Sequence, residues 1–389
     1  MAAAAVASLL RSLHSIVGGL VVSAEETTSP YPTMSSMRGD HPVPGRNSFA
    51  AANRIGELTS TRRGNDVAVV LISGGATSLI AAPLRDMREA DLTALYEILL
   101  GSGLSIGEMN AVRKRFSRWS AGRLALALAP TATRCFAISD VPGDDLGVIG
   151  SGPCVPDDTT ARDVETILER AKLLDRIPKA QREYLTAVLR GTIPETPRST
   201  HPAFAHVSAK VIGNNRLAVD GAAAAVRSRG NGMAIEIATK PMTGEASQFG
   251  AMIARQLVGA RTRGTHHHCV IWGGETTVTL PAGAQSGSAG GGRCQELALA
   301  AAQVLHDAGD QANGITILAA GTDGRDGSTN AAGAIVDRST WSAIAESGRD
   351  PAAALASHES NGALAAAGAL IPRRATGTNV TDIVVAIIS

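Results

Sequence analysis

Apolar runs that end in glycine or polar residues are the feature of this sequence that most constrains its fold. Val67–Ile72 reads VAVVLI and continues directly into Ser73-Gly74-Gly75. Comparable runs end at SD, GNN, GGE and GTDG, at positions 139–140, 213–215, 273–275 and 321–324. Ala-rich stretches with helical spacing separate them. Strands that alternate with helices predict an α/β fold with mostly parallel sheets flanked by helices, which bind ligands at the carboxyl ends of their strands.

The same patterns place the individual elements. Strands are predicted at 67–72, 135–139, 207–212, 234–238, 269–272, 315–320 and 383–388, and helices at 90–100, 159–174, 179–189, 218–227 and 295–307. The apolar start of the chain is interrupted by Arg11 and His14, so it predicts a helix that leads into a strand rather than a signal peptide.

Length and composition narrow the class of protein. The 389 residues predict two domains, and the Pro-rich stretch at 193–202 separates an N-terminal domain, 1–200, from a C-terminal region, 207–389. A net charge of +1 and an aromatic content of 3% argue against nucleic acid as a partner. The four cysteines lack CxxC spacing and predict reduced thiols in a cytoplasmic protein, and no apolar stretch is long enough to span a membrane. The oligomeric state stays open, with a homodimer as one option.

Two segments of the N-terminal half have the composition of anion-binding sites. In SGGATS at 73–78, two glycines allow backbone N–H groups to approach a phosphate, so Ser73, Gly74, Gly75 and Ser78 are candidate phosphate-binding residues. A tight strand–helix turn is the alternative. The basic stretch at 110–123, NAVRKRFSRWSAGR, is either a solvated helix face or an anion site.

Carboxylates follow the strand at 135–139, in the sequence SDVPGDD. Asp140 and Asp144 are candidate Mg²⁺ ligands, because this ion prefers oxygen ligands and holds phosphates. A Pro-Gly turn with solvated aspartates is the alternative.

The C-terminal half offers a second set of candidates. Gly273-Gly274-Glu275 is followed by a glycine-rich loop at 283–292 and by Arg293, whose rigid, charged guanidinium suits a phosphate. Asn214 lies at another strand end. Asp323 and Asp326 are either metal ligands or residues of Asx turns.

Several of these stretches together resemble the glycerate 2-kinase family, whose C-terminal part is the MOFRL domain. They are HPVP, LISGGATSLI, SIGEMNAVRKRFS, ISDVPGDDLGVIGSGP, VIGNN, GGETTVTLP, GGRCQELALAAA, GTDGRDGSTNAAGA and GTNVTDI. The resemblance implies a Rossmann-like N-terminal domain, a MOFRL domain at about 269–387, and a site in the cleft between domains. It also implies transfer of a phosphoryl group from ATP to the 2-hydroxyl of D-glycerate with Mg²⁺.

The resemblance also suggests roles for the candidates. The SGGATS amides, Asn214, the GGE segment and Arg293 would hold ATP, and Arg113 or Arg123 would bind the glycerate carboxylate. Asp140 and Asp144, with Asp323 and Asp326, would hold Mg²⁺ or act as base.

The chain departs from the family pattern at three places. The family begins several dozen residues earlier, with a strand that ends in Gly-Lys-Ala, so the first strand and a lysine are expected to be missing here. Ser120-Ala121-Gly122-Arg123 stands where the family has Lys-Gly-Gly-Arg, and Cys294 replaces an asparagine. Two alternatives follow: an NAD(P)H-dependent hydroxypyruvate reductase, although no GxGxxG follows a strand, and a catalytically impaired ligand-binding protein.

Overall fold

The structure is a computed structural model, and it describes residues 1–12, 15–61, 63–84, 86–230, 232–280 and 290–389. The chain divides into two compact units, Met1–Ile212 and Gly213–Ser389. Within the described residues, no helix has the length and apolar character that a membrane crossing requires.

Parallel strands surrounded by helices build the first unit. Its elements are α1 (Ala2–Arg11), β1 (Gly19–Ser23), β2 (Met34–Arg38), α2 (Arg46–Ser60), β3 (Val67–Ile72), α3 (Ala76–Leu79), α4 (Glu89–Leu100), α5 (Ile106–Arg115), α6 (Arg123–Leu128), β4 (Ala132–Ile138), α7 (Ala161–Arg170), α8 (Lys179–Leu189) and β5 (Val207–Gly213). β1 pairs with β2 and β3 pairs with β4, both in parallel, and a second sheet has the order β3-β4-β5.

Helix caps and apolar faces fix the helices of this unit. The side chains of Ser105 and Thr160 cap α5 and α7 in capping boxes with Glu108 and Asp163. The inner faces of α4, α5, α7 and α8 pack into one apolar cluster around the buried Tyr96. This cluster supports the end of α5 that carries the basic stretch.

The second unit contains one larger, mixed sheet. Its elements are α9 (Asn215–Ser228), β6 (Ala234–Ile237), α10 (Ala246–Thr262), β7 (His268–Gly274), α11 (Arg293–Asp307), β8 (Ile315–Gly321), β9 (Ala331–Asp337), α12 (Thr340–Glu346), α13 (Pro351–Ala356), α14 (Ser360–Ala366), β10 (Leu370–Pro372) and β11 (Asp382–Ile388). The strand order is β10-β9-β8-β11-β7-β6. α11 is buried along most of its length and packs against α10, β8 and β9.

The predicted α/β class with sheets flanked by helices is confirmed, and each predicted strand and helix is present, most of them with shifted ends. Parallel pairing describes the β1–β2, β3–β4 and β6–β7 pairs. The remaining pairs of the second-unit sheet are antiparallel, because β8 returns through a short connection to β9 and the last strand, β11, inserts between β7 and β8.

One part of the predicted domain division differs from the structure. The strand at 207–212, which the sequence assigned to the C-terminal region, is β5 and belongs to the first-unit sheet. The Pro-rich stretch before β5 is hydrogen-bonded to the first unit, since Glu195 accepts from Arg115 at 2.5 Å and from the N–H of Ala161 at 2.8 Å. Proline there shapes a surface connection and does not mark the boundary.

Candidate functional site

The turn after β3 brings backbone, a carboxylate and an imidazole to one sheet edge. A Cβ added at Gly74 would lie 1.8 Å from Oδ2 of Asp140, which follows the neighbouring strand β4. Gly75 has a left-handed φ of +81°, and a Cβ there would lie 3.5 Å from the His41 ring. Only glycine permits this approach at position 74. The following helix, α3, is a single turn, so a helix dipole adds little to anion binding here.

Arg113 is the buried cation of this region. Its residue is 6% exposed, and its Cζ lies 4.6 Å from the centroid of the Tyr96 ring. Tyr96 is oriented by a hydrogen bond that its hydroxyl donates to the Thr77 carbonyl at 3.2 Å. Within the described part of the chain, Nε and Nη2 of Arg113 have no hydrogen-bond partner. A carboxylate or phosphate that reached these two buried donors would satisfy both of them. We call His41, residues 73–77, Tyr96, Arg113 and Asp140 the first-unit site.

Burial changes the proton affinity of the groups in the first-unit site. It lowers the pKa of His41, and the positive charge of Arg113 lowers it further, so the imidazole is neutral around pH 7. Burial raises the pKa of the Asp140 carboxyl, because the charged form loses hydration. Burial likewise lowers the pKa of Arg113. A bound anion would stabilise the charged form of Arg113, and a bound cation would stabilise the charged form of Asp140.

The rest of the basic stretch has internal partners. Arg123, a predicted substrate contact, donates from Nη1 to the carbonyls of Lys114 at 2.9 Å and Ser117 at 3.1 Å, and from Nη2 to the carbonyl of Arg115 at 3.0 Å. Its guanidinium thus satisfies the C-terminal end of α5, where helix carbonyls lack partners. Lys114 Nζ lies 2.7 Å from the buried Asp157. The stretch is a buried network rather than a solvated helix face.

The remaining first-unit candidates lie in turns. The N–H of Asp144 donates to the carbonyl of Val141 at 3.1 Å, and Asp144 itself has a left-handed φ of 56°. Ser78 is buried and its hydroxyl donates to the Gly75 carbonyl at 3.3 Å. Ser73 is exposed at the start of the turn. Among these residues, the structure joins Asp140 and the two glycines into one site.

In the second unit, Arg293 lies at the N-terminus of α11 between two carboxylates. Nε and Nη2 contact the Asp382 carboxylate at 2.5 and 3.1 Å, and Nη1 contacts Oε1 of Glu275 at 2.7 Å. Asp382 begins β11, in register with Gly274 of β7 and Gly321 of β8. A strand that starts here therefore delivers a carboxylate to the edge where its antiparallel neighbours end.

In the Arg293–Asp382 pair, the aspartate is buried and the arginine is partly exposed. The Asp382 side chain is 3% exposed, and burial raises its pKa to about 6 although Arg293 opposes the shift. Burial lowers the pKa of Arg293, but the hydrogen bond and charge of Asp382 outweigh this and raise it. Arg293 stays 36% exposed, so part of its guanidinium remains accessible to a ligand.

A cavity of about 430 Å³ lies beside Arg293 within the second unit. Its lining residues include Glu275, Thr276, Gly292, Arg293, Glu296 and His358. Most of the predicted glycine-rich loop at 283–292 lies outside the described residues, which resume at Gly290. We call this space the Arg293 cavity.

The two predicted second-unit metal ligands are engaged in backbone turns and caps. The oxygens of the buried Asp326 accept from the N–H groups of Cys294 at 3.1 Å and Gln295 at 2.8 Å, so Asp326 is the anion that satisfies the start of α11. Asp323 Oδ1 accepts from the N–H of Arg325 at 2.9 Å, which is the Asx turn that the sequence left open. Among the described residues, no group of three or more His, Cys, Asp or Glu side chains has the arrangement of a metal site.

The other predicted second-unit residues have structural partners. Asn214 caps α9, since its Oδ1 accepts from the N–H of Leu217 at 2.9 Å. Its neighbour Asn215 donates to the carbonyls of Val380 and Asp382, both at 2.9 Å. A Cβ at Gly273 would lie 1.9 Å from Oδ1 of Asn215. Asn215, for which Gly273 leaves room, therefore holds the start of β11 in place.

Sequence reasoning missed several residues of both sites. His41 belongs to the HPVP stretch, and Asp382 to GTNVTDI; both stretches were recognised without a role for these residues. Asp382 is the first residue of β11, so the rule that ligands bind at the carboxyl ends of strands did not select it. Tyr96, Glu296 and His358 lie within ordinary helical or loop sequence and carried no signal.

Comparisons with known proteins agree with this architecture. A family described as "Domain of unknown function (DUF4147)" matches residues 1–186, and the MOFRL family matches residues 268–382. A protein named D-glycerate 2-kinase from Thermotoga maritima is 34% identical over 95% of this chain and 84% of its own length. A protein named putative hydroxypyruvate reductase from Agrobacterium vitis is 36% identical over 98% of this chain and 96% of its own.

The solved structures agree as well. The crystal structure of glycerate kinase from Thermotoga maritima matches with a TM-score of 0.86 at 34% identity, over 100% of this chain and 88% of that one. A protein named glycerate 2-kinase from Pyrococcus horikoshii is 33% identical over 100% of this chain and 86% of its length. The chain belongs to the glycerate 2-kinase family.

Proposed function

We propose that the protein is a glycerate 2-kinase, which transfers the γ-phosphoryl group of ATP to the 2-hydroxyl of D-glycerate and releases ADP and 2-phosphoglycerate. Membership of the family supports the reaction class. The observation that carries the proposal is Arg113, a buried guanidinium in which Nε and Nη2 lack partners among the described residues. It stacks on Tyr96, whose hydroxyl contacts the turn that follows β3. A site built in this way fits a small anionic substrate.

The roles of the first-unit site follow from its chemistry. Arg113 would donate two parallel hydrogen bonds to the glycerate carboxylate, with its plane fixed against Tyr96. The backbone at Gly74 and Gly75 would contact phosphate oxygens. The 2-hydroxyl oxygen attacks the γ-phosphorus, the bond to the β-phosphate oxygen breaks to release ADP, and the hydroxyl proton passes to water. Such transfers depend mostly on positioning and on neutralising charge.

Asp140 is the residue of this chain that would hold Mg²⁺. Its carboxylate lies against the glycine turn, so a phosphate bound there would be repelled unless a cation lay between the two. Magnesium is usually held by one or two carboxylates together with substrate phosphates and water, and one carboxylate at this place fits that pattern. The bound ion would neutralise phosphate charge. Asp326 and Asp323 fit less well, because their oxygens accept backbone N–H groups.

Arg293 would hold phosphate oxygens from the second unit. Three of its donors are engaged by Asp382 and Glu275, which fixes the guanidinium while leaving further N–H groups toward the Arg293 cavity. Replacement of Arg293 by alanine should lower kcat/KM by about two decades, as expected for a lost charge-assisted contact.

The proposal is tested by identifying the product. The protein is incubated with ATP, Mg²⁺ and D-glycerate, and ³¹P NMR distinguishes 2-phosphoglycerate from 3-phosphoglycerate. The expected product is the 2-phosphate. Formation of the 3-phosphate alone, or oxidation of NADH with hydroxypyruvate in place of phosphoryl transfer, would refute it. A matched reaction with the Arg113→Met variant shows whether transfer depends on the first-unit site.

A further inference from the structure

A histidine and a buried glutamate form a pair in the wall of the Arg293 cavity. Nδ1 of His358 lies 2.9 Å from Oε1 of Glu296, and their side chains are 20% and 4% exposed. Glu296 follows Arg293 by three positions on α11, so both side chains project from the same face of the helix. The pair is therefore held beside the proposed phosphate contact, and the reaction as described above does not use it.

The backbone at His358 is held in an unfavourable conformation. His358 has a left-handed φ of 59°, in the connection between α13 and α14. The residues that follow His358 are hydrogen-bonded to the segment before α11: the N–H of Asn361 donates to the Gly290 carbonyl at 2.7 Å. A Cβ at Gly291 would lie 2.0 Å from Oγ of Ser360. Glycine or asparagine would fit position 358 with less strain, so a histidine there points to a function of its ring.

The partner of His358 determines what the ring can bind. When the Glu296 carboxylate accepts the Nδ1 proton of His358, Nε2 of the ring can accept a hydrogen bond from a ligand in the cavity. The charge of Arg293 is already opposed by Glu275 and Asp382. A neutral group that donates a hydrogen bond is therefore favoured beside His358 over a second anionic group.

We propose that His358 binds a substrate hydroxyl through Nε2, and that Glu296 is a positioning residue that fixes the tautomer. The ligand chemistry is a sugar-like diol: the ribose of ATP and the hydroxyls of D-glycerate both supply it. The inference rests on the proposed function and deepens it, since it assigns a second contact to a substrate of the same reaction.

Two variants of the full chain separate the roles. His358→Asn keeps an N–H donor toward Glu296, relaxes the left-handed backbone and removes Nε2. Glu296→Gln keeps the side-chain volume but offers an amide N–H to Nδ1, which turns Nε2 into a donor. The matched control is His306→Asn, because His306 lies at the far end of α11, where its Nδ1 lies 3.2 Å from the Ser342 hydroxyl.

Steady-state kinetics then identify the hydroxyl. We expect His358→Asn and Glu296→Gln each to raise KM for one substrate about tenfold, as for one lost hydrogen bond, with unchanged melting temperature. If the ribose is bound, the defect disappears with 2′-deoxy-ATP or 3′-deoxy-ATP; if glycerate is bound, it disappears with D-lactate, which lacks the 3-hydroxyl. Either result supports the proposal, while the control stays within twofold of the unsubstituted protein.

Other outcomes overturn it. KM values within twofold for both substrates in both variants would show that the pair is only structural. A defect in His358→Asn with a fully active Glu296→Gln would show that the ring acts as a donor, against the assigned tautomer. Calorimetric titration of ATP and of D-glycerate, each alone, repeats the comparison without turnover. Failure of the proposed function is distinguished by absence of phosphoryl transfer in the unsubstituted protein.

Discussion

Replacing Arg113 by methionine should stabilise the protein and remove most of its activity. Burying a donor without a partner costs about 1–3 kcal/mol, and the structure leaves Nε and Nη2 of Arg113 unpartnered among the described residues. The stacking of the guanidinium on Tyr96 at 4.6 Å offsets about 0.5–2 kcal/mol of that cost. Methionine fills the space of the aliphatic stem without a polar group. Since two donors are affected, we expect a gain of about 1 kcal/mol or more in the free energy of unfolding.

The same substitution removes the proposed carboxylate contact. Two charge-assisted hydrogen bonds at about 1.5–3 kcal/mol each correspond to a loss of about two to four decades in kcat/KM. The loss should be measured as a function of D-glycerate concentration, with thermal and urea unfolding followed on the same samples. A stability gain of about 1 kcal/mol corresponds to a rise of about 2–4 °C in melting temperature for a unit of this size.

Arg123→Met is the matched control, since it changes the same residue type in the same unit. Arg123 donates to three carbonyls at 2.9–3.1 Å, at the end of α5, and all three lose a partner in the variant. We expect about 3 kcal/mol of destabilisation for this variant. The reasoning is refuted if Arg113→Met lowers the free energy of unfolding by more than about 2 kcal/mol, or if the variant retains full activity. The buried guanidinium would then be a structural element like Arg123.

Further perturbations test the other assignments. Because burial raises the pKa of Asp140, and the proposed role requires its ionised form, kcat/KM measured at subsaturating Mg²⁺ should fall on acidification at a pH above that of an ordinary aspartate, and Asp140→Asn should react much more slowly without this acid limb. Asp326→Ala should destabilise the second unit by about 1–3 kcal/mol, measured by urea unfolding, whereas Asp323→Ala should change it by less than about 1 kcal/mol. Ala121→Gly should raise the unfolding free energy by about 1 kcal/mol, since Ala121 has a left-handed φ of 55°; no gain in melting temperature would contradict this.

The strands were predictable because burial dictates their composition. A strand covered on both faces must be apolar throughout, as in VIW within β7, and such runs are recognisable without further information. VAVVLI of β3 was recognised by the same composition, although Val67 and Val69 are exposed. β9 was missed because its small residues, AAGA, lack the β-branched side chains that identify a strand. The sequence also did not show that β9 pairs antiparallel with its neighbours, since pairing geometry depends on connections and on partners distant in the sequence.

The sites were predictable only in part. The glycine turn and Asp140 follow strands, and the rule that ligands bind at strand ends brought them together correctly in space. The same rule also selected Asp326 and Asn214, which serve as helix caps. A carboxylate or amide at a strand–helix junction suits a cap as well as a ligand, and the choice depends on which backbone N–H groups the fold presents to it.

Three arginines chosen from the sequence illustrate what decides between these outcomes. Arg123 has its donors on main-chain carbonyls, Arg293 shares its donors between two carboxylates and a cavity, and Arg113 keeps two buried donors without a partner in the described residues. A fully satisfied guanidinium stabilises the fold and gains nothing from a ligand. A buried guanidinium with unused donors lowers the stability of the free protein, and a bound anion recovers that free energy as affinity. Substrate binding is therefore expected where the fold leaves polar groups unsatisfied, which makes Arg113 the strongest candidate of the three.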